Sequence, residues 1–218
     1  MPDRPSTATR GGTATSVRTE PRFRWRAVAQ PGLVRLLVLA GVLGLLTVGD
    51  GFIYLALLDR GGFAAHWFPL MYVGTNIAYL ALAIPIGRLA DRVGRAKVLI
   101  WGHGALLGSY TAVAISWNIA ASTVVALLLL GTFYAATDGV IAALASRLVP
   151  STVRASGIAS AQTVVAVARM LSSAGFGILW FAIGPQHALY VVGCALLVIL
   201  PLATTTVRRL DRTAEVAR

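Results

Sequence analysis

Gly87-Arg88-Leu89-Ala90-Asp91-Arg92-Val93-Gly94-Arg95-Ala96-Lys97 is a short charged, glycine-punctuated stretch between two long apolar runs, and its reading decides the fold. His66 to Ile86 before it and Val98 to Trp117 after it each hold the roughly 20 apolar residues that a helix needs to cross the hydrocarbon of a bilayer. The chain must therefore reverse direction here, at a membrane surface. Arg88, Arg92, Arg95 and Lys97 mark that surface as cytoplasmic, because basic residues accumulate in cytoplasmic loops. Gly87 and Gly94 permit turn conformations closed to other residues, and Asp91 is the one acid among the bases. A carboxylate at that position can meet a positive helix N-terminus.

Composition agrees with a membrane chain. Hydrophobic residues make up 57% of the sequence and charged residues 12%, against about a quarter charged in a soluble globule. The 218 residues give room for several spans with short loops and no separate soluble domain. A net charge of +11 raises the question of nucleic acid as a partner. The basic residues sit at helix ends and no nucleic-acid motif accompanies them, which argues against it. Cys194 stands alone in an apolar helix, so an intrachain disulfide is excluded and packing is its expected role.

Outward from the opening stretch, six apolar spans are predicted, at about 33–58, 66–86, 98–117, 120–147, 156–182 and 187–206. Residues 1–32, rich in Arg, Thr, Pro and Gly, form a disordered basic leader, and 207–218 a cytoplasmic tail. The leader's Arg22-Phe23-Arg24-Trp25-Arg26 cluster reads either as an anchor on anionic headgroups or as a solvated segment. Between the third and fourth spans only Ser116-Trp117-Asn118 offers an interfacial break. With this count, 17 of the 19 Lys and Arg residues fall on one side, the exceptions being Arg60 and Arg169. The expectation is an integral plasma (inner) membrane protein with both termini cytoplasmic.

Gly-x-Leu-Ala-Asp-Arg-x-Gly-Arg at 87–95 resembles the loop signature of the major facilitator superfamily of secondary transporters, which joins the second and third helices of each six-helix half. Ala96 departs from it where a basic residue is usual, and Lys97 supplies that charge one position later. The resemblance covers about residues 33 to 206. It implies an all-α membrane fold of six transmembrane helices, one half of such a bundle built from two inverted three-helix repeats. The fourth span, around Leu130-Gly131-Thr132-Phe133-Tyr134, lacks the arginine of many first halves. The fifth lacks the Gly-Pro-x-x-Gly-Gly pattern of many drug/proton antiporters. Both departures, with the Arg-rich leader, point to a carboxy-terminal half. The resemblance further assigns Gly87, Asp91, Arg92, Gly94 and Arg95 to a motif and gating loop, and implies that the first, second, fourth and fifth helices line the cavity.

Three ionisable side chains lie within apolar spans, where such groups are costly and usually face a bundle interior or a water-filled cavity: Asp50, Asp138 and Arg169. Asp50 falls about 25 Å along the first span from Leu33, between Gly49 and Gly51, whose presence loosens a helix. It reads as a proton- or substrate-binding carboxylate, or as a residue near the outer interface reaching headgroup water. Asp138 and Arg169, on antiparallel neighbours, lie about 20 Å and 27 Å from the turn that joins them, within reach of one another as an ion pair. The pair either serves a midplane solute site or neutralises itself to fix helix packing. Asn76 and Tyr79 on the second span and Gln162 and Thr163 on the fifth are softer candidates. His103, Tyr134 and the terminal aromatics read as packing or interfacial residues, and Pro85 as a loosener of the second span's inner end.

No hydrolase triad, phosphate-binding glycine loop or zinc motif is present, so no cofactor, metal or enzymatic role is expected and secondary transport is favoured over ATP-driven pumping. The expected partners are the lipid bilayer, a small-molecule substrate of unknown identity, and a second six-helix half or a second copy of the chain. In a homodimer the resemblance sets Asp91 of one copy against Arg154 and Ser156 of the other. The other reading is a truncated fragment or membrane scaffold that transports nothing.

Overall fold

The computed structural model describes residues 30–115 and 118–216, with side chains through Thr206. Nearly all of the basic leader, its aromatic cluster, the Ser116-Trp117 break and the side chains of the tail lie outside the described residues. The elements are α1 (Pro31–Leu45), α2 (Asp50–Gly61), α3 (Phe68–Val93), α4 (Arg95–Ala114), α5 (Ile119–Arg147), α6 (Arg154–Ile183) and α7 (Pro185–Val216). Among the described residues there is no strand.

Five segments are long and apolar enough to cross a membrane: Pro31–Gly61, Ala65–Val93, Ile119–Arg147, Ser151–Ile183 and Pro185–Thr206. The first takes in both α1 and α2. The third predicted span, α4, is not among them. Arg95, Lys97, His103, Ser109, Tyr110 and Thr111, with three glycines, dilute its apolar content. Many of these polar groups are turned inward: Gly102, His103, Ser109 and Tyr110 are buried, where α4 packs against α5 and α7.

In lipid, helices gain little by hiding apolar surface from one another, so close backbone approach and internal hydrogen bonds must hold the bundle. Gly131 on α5 shows the first device. A Cβ there would lie 2.5 Å from Ala78 Cβ and 2.7 Å from the Tyr79 amide nitrogen, so α3 and α5 touch backbone to backbone. Helix-end carbonyls show the second. The Ala114 carbonyl at the end of α4 accepts from Gln186 Nε2 at 2.9 Å and from the Tyr190 hydroxyl at 3.2 Å, both on α7, and Arg60 Nη1 donates to the Val113 carbonyl.

The opening stretch folds differently from its expected form. Gly87 is not in a turn: α3 runs on through Asp91 to Val93, because Arg-Leu-Ala-Asp-Arg are competent helix formers that carry the helix beyond its apolar part. Helix α3 also passes through Pro85 without ending there. The reversal is concentrated at Gly94, with φ 104°, a conformation that disfavours any side chain. Asp91 Oδ1 meets Arg95 Nη2 at 2.9 Å, joining the end of α3 to the first residue of α4.

Candidate functional site

The site is organised by a break in the first span. Helix α1 ends at Leu45 and α2 begins at Asp50, leaving Leu46 to Gly49 non-helical. Backbone groups freed inside an apolar bundle need hydrogen-bond partners, and the protein supplies them. Tyr110 of α4, fully buried, does so twice: its hydroxyl accepts from the Val48 amide at 2.8 Å and donates to the Leu46 carbonyl at 3.0 Å. Thr47 Oγ1 donates back to the Leu43 carbonyl at 2.9 Å. Gly49 caps α2, and a Cβ on it would come within 2.8 Å of Ser173 Oγ on α6.

The break places Asp50 at the first position of a helix in the bundle interior. Its carboxylate stands at the positive end of the α2 dipole and accepts a hydrogen bond of 2.6 Å from the Tyr134 hydroxyl of α5. Arg169 of α6 approaches from the other side. Its Nη2 lies 3.8 Å from Asp138 Oδ1, and its guanidinium carbon sits 5.5 Å and 5.6 Å from the ring centres of Phe133 and Tyr134, within cation–π range. The Asp138 side chain remains 47% exposed and that of Arg169 29%, so this is a loose, accessible pair rather than a sealed one.

These groups border a cavity of about 350 Å³ lined by Asp50, Tyr72, Thr75, Asn76, Tyr79, Tyr134, Asp138 and Arg169. Four segments contribute: α2, α3, α5 and α6. On α3 Tyr72, Asn76 and Tyr79 line the cavity together with Thr75, which also belongs to a buried stripe with Met71 and Ala78, and Val73, Ile77, Leu80 and Ile84 form an exposed apolar stripe. The Tyr54 hydroxyl donates to Thr75 Oγ1 at 2.8 Å and ties α2 to α3 beneath the lining.

Asp50, Asn76, Tyr79, Asp138 and Arg169 thus come together around one cavity. Gln162 does not line it; it sits two turns before Arg169 on α6, about 10 Å away along the helix. The Asn76 side-chain amide donates to the Tyr72 carbonyl one turn back, at 2.8 Å. Gly87, Asp91, Arg92, Gly94 and Arg95 lie at the α3–α4 connection, apart from the cavity. Tyr134, read from sequence as packing, is a direct partner of Asp50, and Tyr72 and Thr75 were not singled out at all. A signal existed for Tyr72 and Thr75: Tyr72 lies four residues before Asn76 and Thr75 four residues before Tyr79, the spacing at which helix side chains are neighbours.

Chemically the cavity offers two carboxylates against one guanidinium, three tyrosines and a carboxamide. Such a set has the hydrogen-bonding groups and charges to meet a polar or charged solute, and its carboxylates are groups that can carry protons. Among the described residues no group of three or more His, Cys, Asp or Glu is placed to hold a metal ion.

A bundle that is helical throughout its described residues, with five segments long and apolar enough to cross a membrane and a charged cavity at a broken helix, fits an integral membrane protein. The profile describing the Major Facilitator Superfamily matches residues 40–217, more than half of the sequence, and the chain belongs to that family, whose members are transporters. No curated protein and no solved structure matches it.

Proposed function

We propose that this chain is a six-span unit of a secondary transporter, α4 included, which moves a small solute by alternating access against a second bundle. The observation that carries this reading is the cavity at the α1–α2 break, where Asp50, Asp138 and Arg169 converge from three different spans. Paired helices with a half-helix N-terminus facing a charged pocket suit solute or ion binding at mid-depth better than packing alone. The excess of one carboxylate over the guanidinium suits a cationic solute or a proton as the coupled species. We place the chain in the plasma (inner) membrane with both termini cytoplasmic, on the strength of its Lys and Arg distribution. As one six-helix half, which is what the resemblance of its loop signature implies, this bundle needs a second one to close a pathway. That bundle is the other half of a longer polypeptide, another chain or a second copy of this one.

The test is solute uptake or efflux in vesicles from cells expressing the full chain and its Asp50→Asn, Asp138→Asn and Arg169→Met variants. The reading requires a solute whose movement depends on the chain and drops by an order of magnitude or more in each variant. The need for a second bundle leaves one alternative, a truncated fragment or membrane scaffold that transports nothing. Fluxes that are equal with and without the chain support that alternative and sink the first.

A further inference from the structure

We propose that one water molecule is bound behind Arg169, bridging its Nε–H to Nε2 of His103, and that His103 is thereby a positioning residue for the cavity arginine. Arg169 borders two cavities. Its Nη2 faces Asp138 in the large one, whereas its Nε is buried and makes no hydrogen bond within the protein. The second cavity, about 10 Å³, lies between α1 with the break that follows it, α4, α5 and α6, and is lined by Thr47, His103, Thr137 and Arg169 among aliphatic side chains. That volume is about what a single water occupies.

The hydrogen-bonding inventory of the cavity matches a water and little else. His103, 3% exposed, sets its Nδ1 2.8 Å from the Leu99 carbonyl, which can only accept. Nδ1 therefore carries the proton, and in the neutral ring Nε2 is an acceptor. Thr47 and Thr137 spend their hydroxyl protons on the carbonyls of Leu43 and Phe133, at 2.9 Å and 2.8 Å, and keep lone pairs to accept with. One donor, Arg169 Nε–H, thus faces several acceptors that have no proton to share among themselves. A water accepts from the arginine and donates to His103 and to one of the two threonine oxygens, using its two protons and giving the arginine Nε–H the partner it lacks within the protein. An anion would find a single donor there, and a cation would meet the guanidinium. Phe133, edge-on to the His103 ring at 5.2 Å and beneath the guanidinium at 5.5 Å, closes the same assembly from α5. The guanidinium is then held at Nη2 by Asp138, on its face by Phe133 and Tyr134, and at Nε through the water by α4.

The water site stands on this geometry and does not depend on the transport reading. It is tested by solid-state NMR of the full chain in lipid bilayers, with histidine and arginine labelled with ¹⁵N. His103 is assigned by the signal lost in His103→Gln. The expected result is a His103 ring protonated at Nδ1 and hydrogen-bonded at unprotonated Nε2, with magnetisation arriving from water, although the residue is buried. Ala40→Val, which adds methyl volume to the small cavity, should abolish that transfer. In His103→Phe the Arg169 Nε signal should shift and broaden, and His103→Gln, which keeps a polar group on the site, should retain most of the wild-type signal. A proton on Nε2, or no transfer from water to His103 in the wild type, overturns the water site. An Arg169 Nε signal identical in wild type and His103→Phe overturns the positioning role, whether or not the chain moves a solute.

Discussion

Asp50 depends on a hydrogen bond that no pattern in its own segment reveals. The Tyr134 hydroxyl at 2.6 Å is its direct side-chain partner, and hydrogen bonds to ionised groups contribute about 1.5–3 kcal/mol. Tyr134→Phe should therefore weaken solute or proton binding at Asp50 by roughly tenfold to a hundredfold, while thermal unfolding in detergent moves little, because the ring and its packing remain. A binding titration beside a melting curve separates the two effects. The Asp138–Arg169 pair predicts something more modest. At 3.8 Å and partly exposed, it should show a coupling of about 1 kcal/mol or less in a double-mutant cycle on stability. A coupling several times larger would mean that the pair is sealed from water and mainly structural. Asp50, Asp138 and Arg169 stood out in the sequence because a charge in an apolar run is expensive and needs a reason. Tyr134 did not, because tyrosine is ordinary in a membrane helix and its partner is 84 residues away.

The break between α1 and α2 is the element on which the cavity depends, and Tyr110 is what makes it tolerable. Tyr110→Phe leaves the Val48 amide and the Leu46 carbonyl without their partner. Each buried unsatisfied group costs about 1–3 kcal/mol, so the melting midpoint should fall by roughly 5–15 °C. An unchanged midpoint would show that the break needs no such support. The contact between α3 and α5 makes a second comparison on one helix. Gly131→Ala drives a methyl into Ala78 and the Tyr79 backbone and should cost about 1–3 kcal/mol, while Gly139→Ala, with nothing within 4 Å, should be neutral or slightly stabilising. Equal effects at the two positions would contradict the close approach. The helices themselves were legible, since apolar length alone marks most of them. Their ends were less so, because α3 continues seven residues past its apolar part on helix propensity, and the division of the first span rests on a tyrosine 62 residues downstream of Val48.

For the molecule as a whole, the family assignment rests on the match over residues 40–217, and the charged stretch at Gly87–Lys97 carried the same resemblance in seven specified positions. How the bundle is completed is a matter of assembly, and Asp91 offers the test. Within one chain it already pairs with Arg95 at 2.9 Å, yet its side chain remains 61% exposed and free to engage a neighbour. In a homodimer held by Asp91 of one copy and Arg154 of the other, Asp91→Arg and Arg154→Asp should each reduce the dimer fraction, and the double reversal should restore it, as read by mass in nanodiscs. Failure of the double reversal to rescue rejects this contact and leaves the second bundle to another half or another chain.

The central claim is that a water-accessible, solute-sized cavity lies at the depth of Asp50 within a membrane-crossing bundle. The most direct measurement is thiol labelling in membrane vesicles with a charged, membrane-impermeant maleimide, using Asn76→Cys and Ile77→Cys in a Cys194→Ser background. Asn76 lines the cavity, whereas its neighbour Ile77, 62% exposed, lies on the apolar stripe. The account predicts rapid labelling at position 76 and little at 77. Equal labelling at both, or at neither, would contradict it.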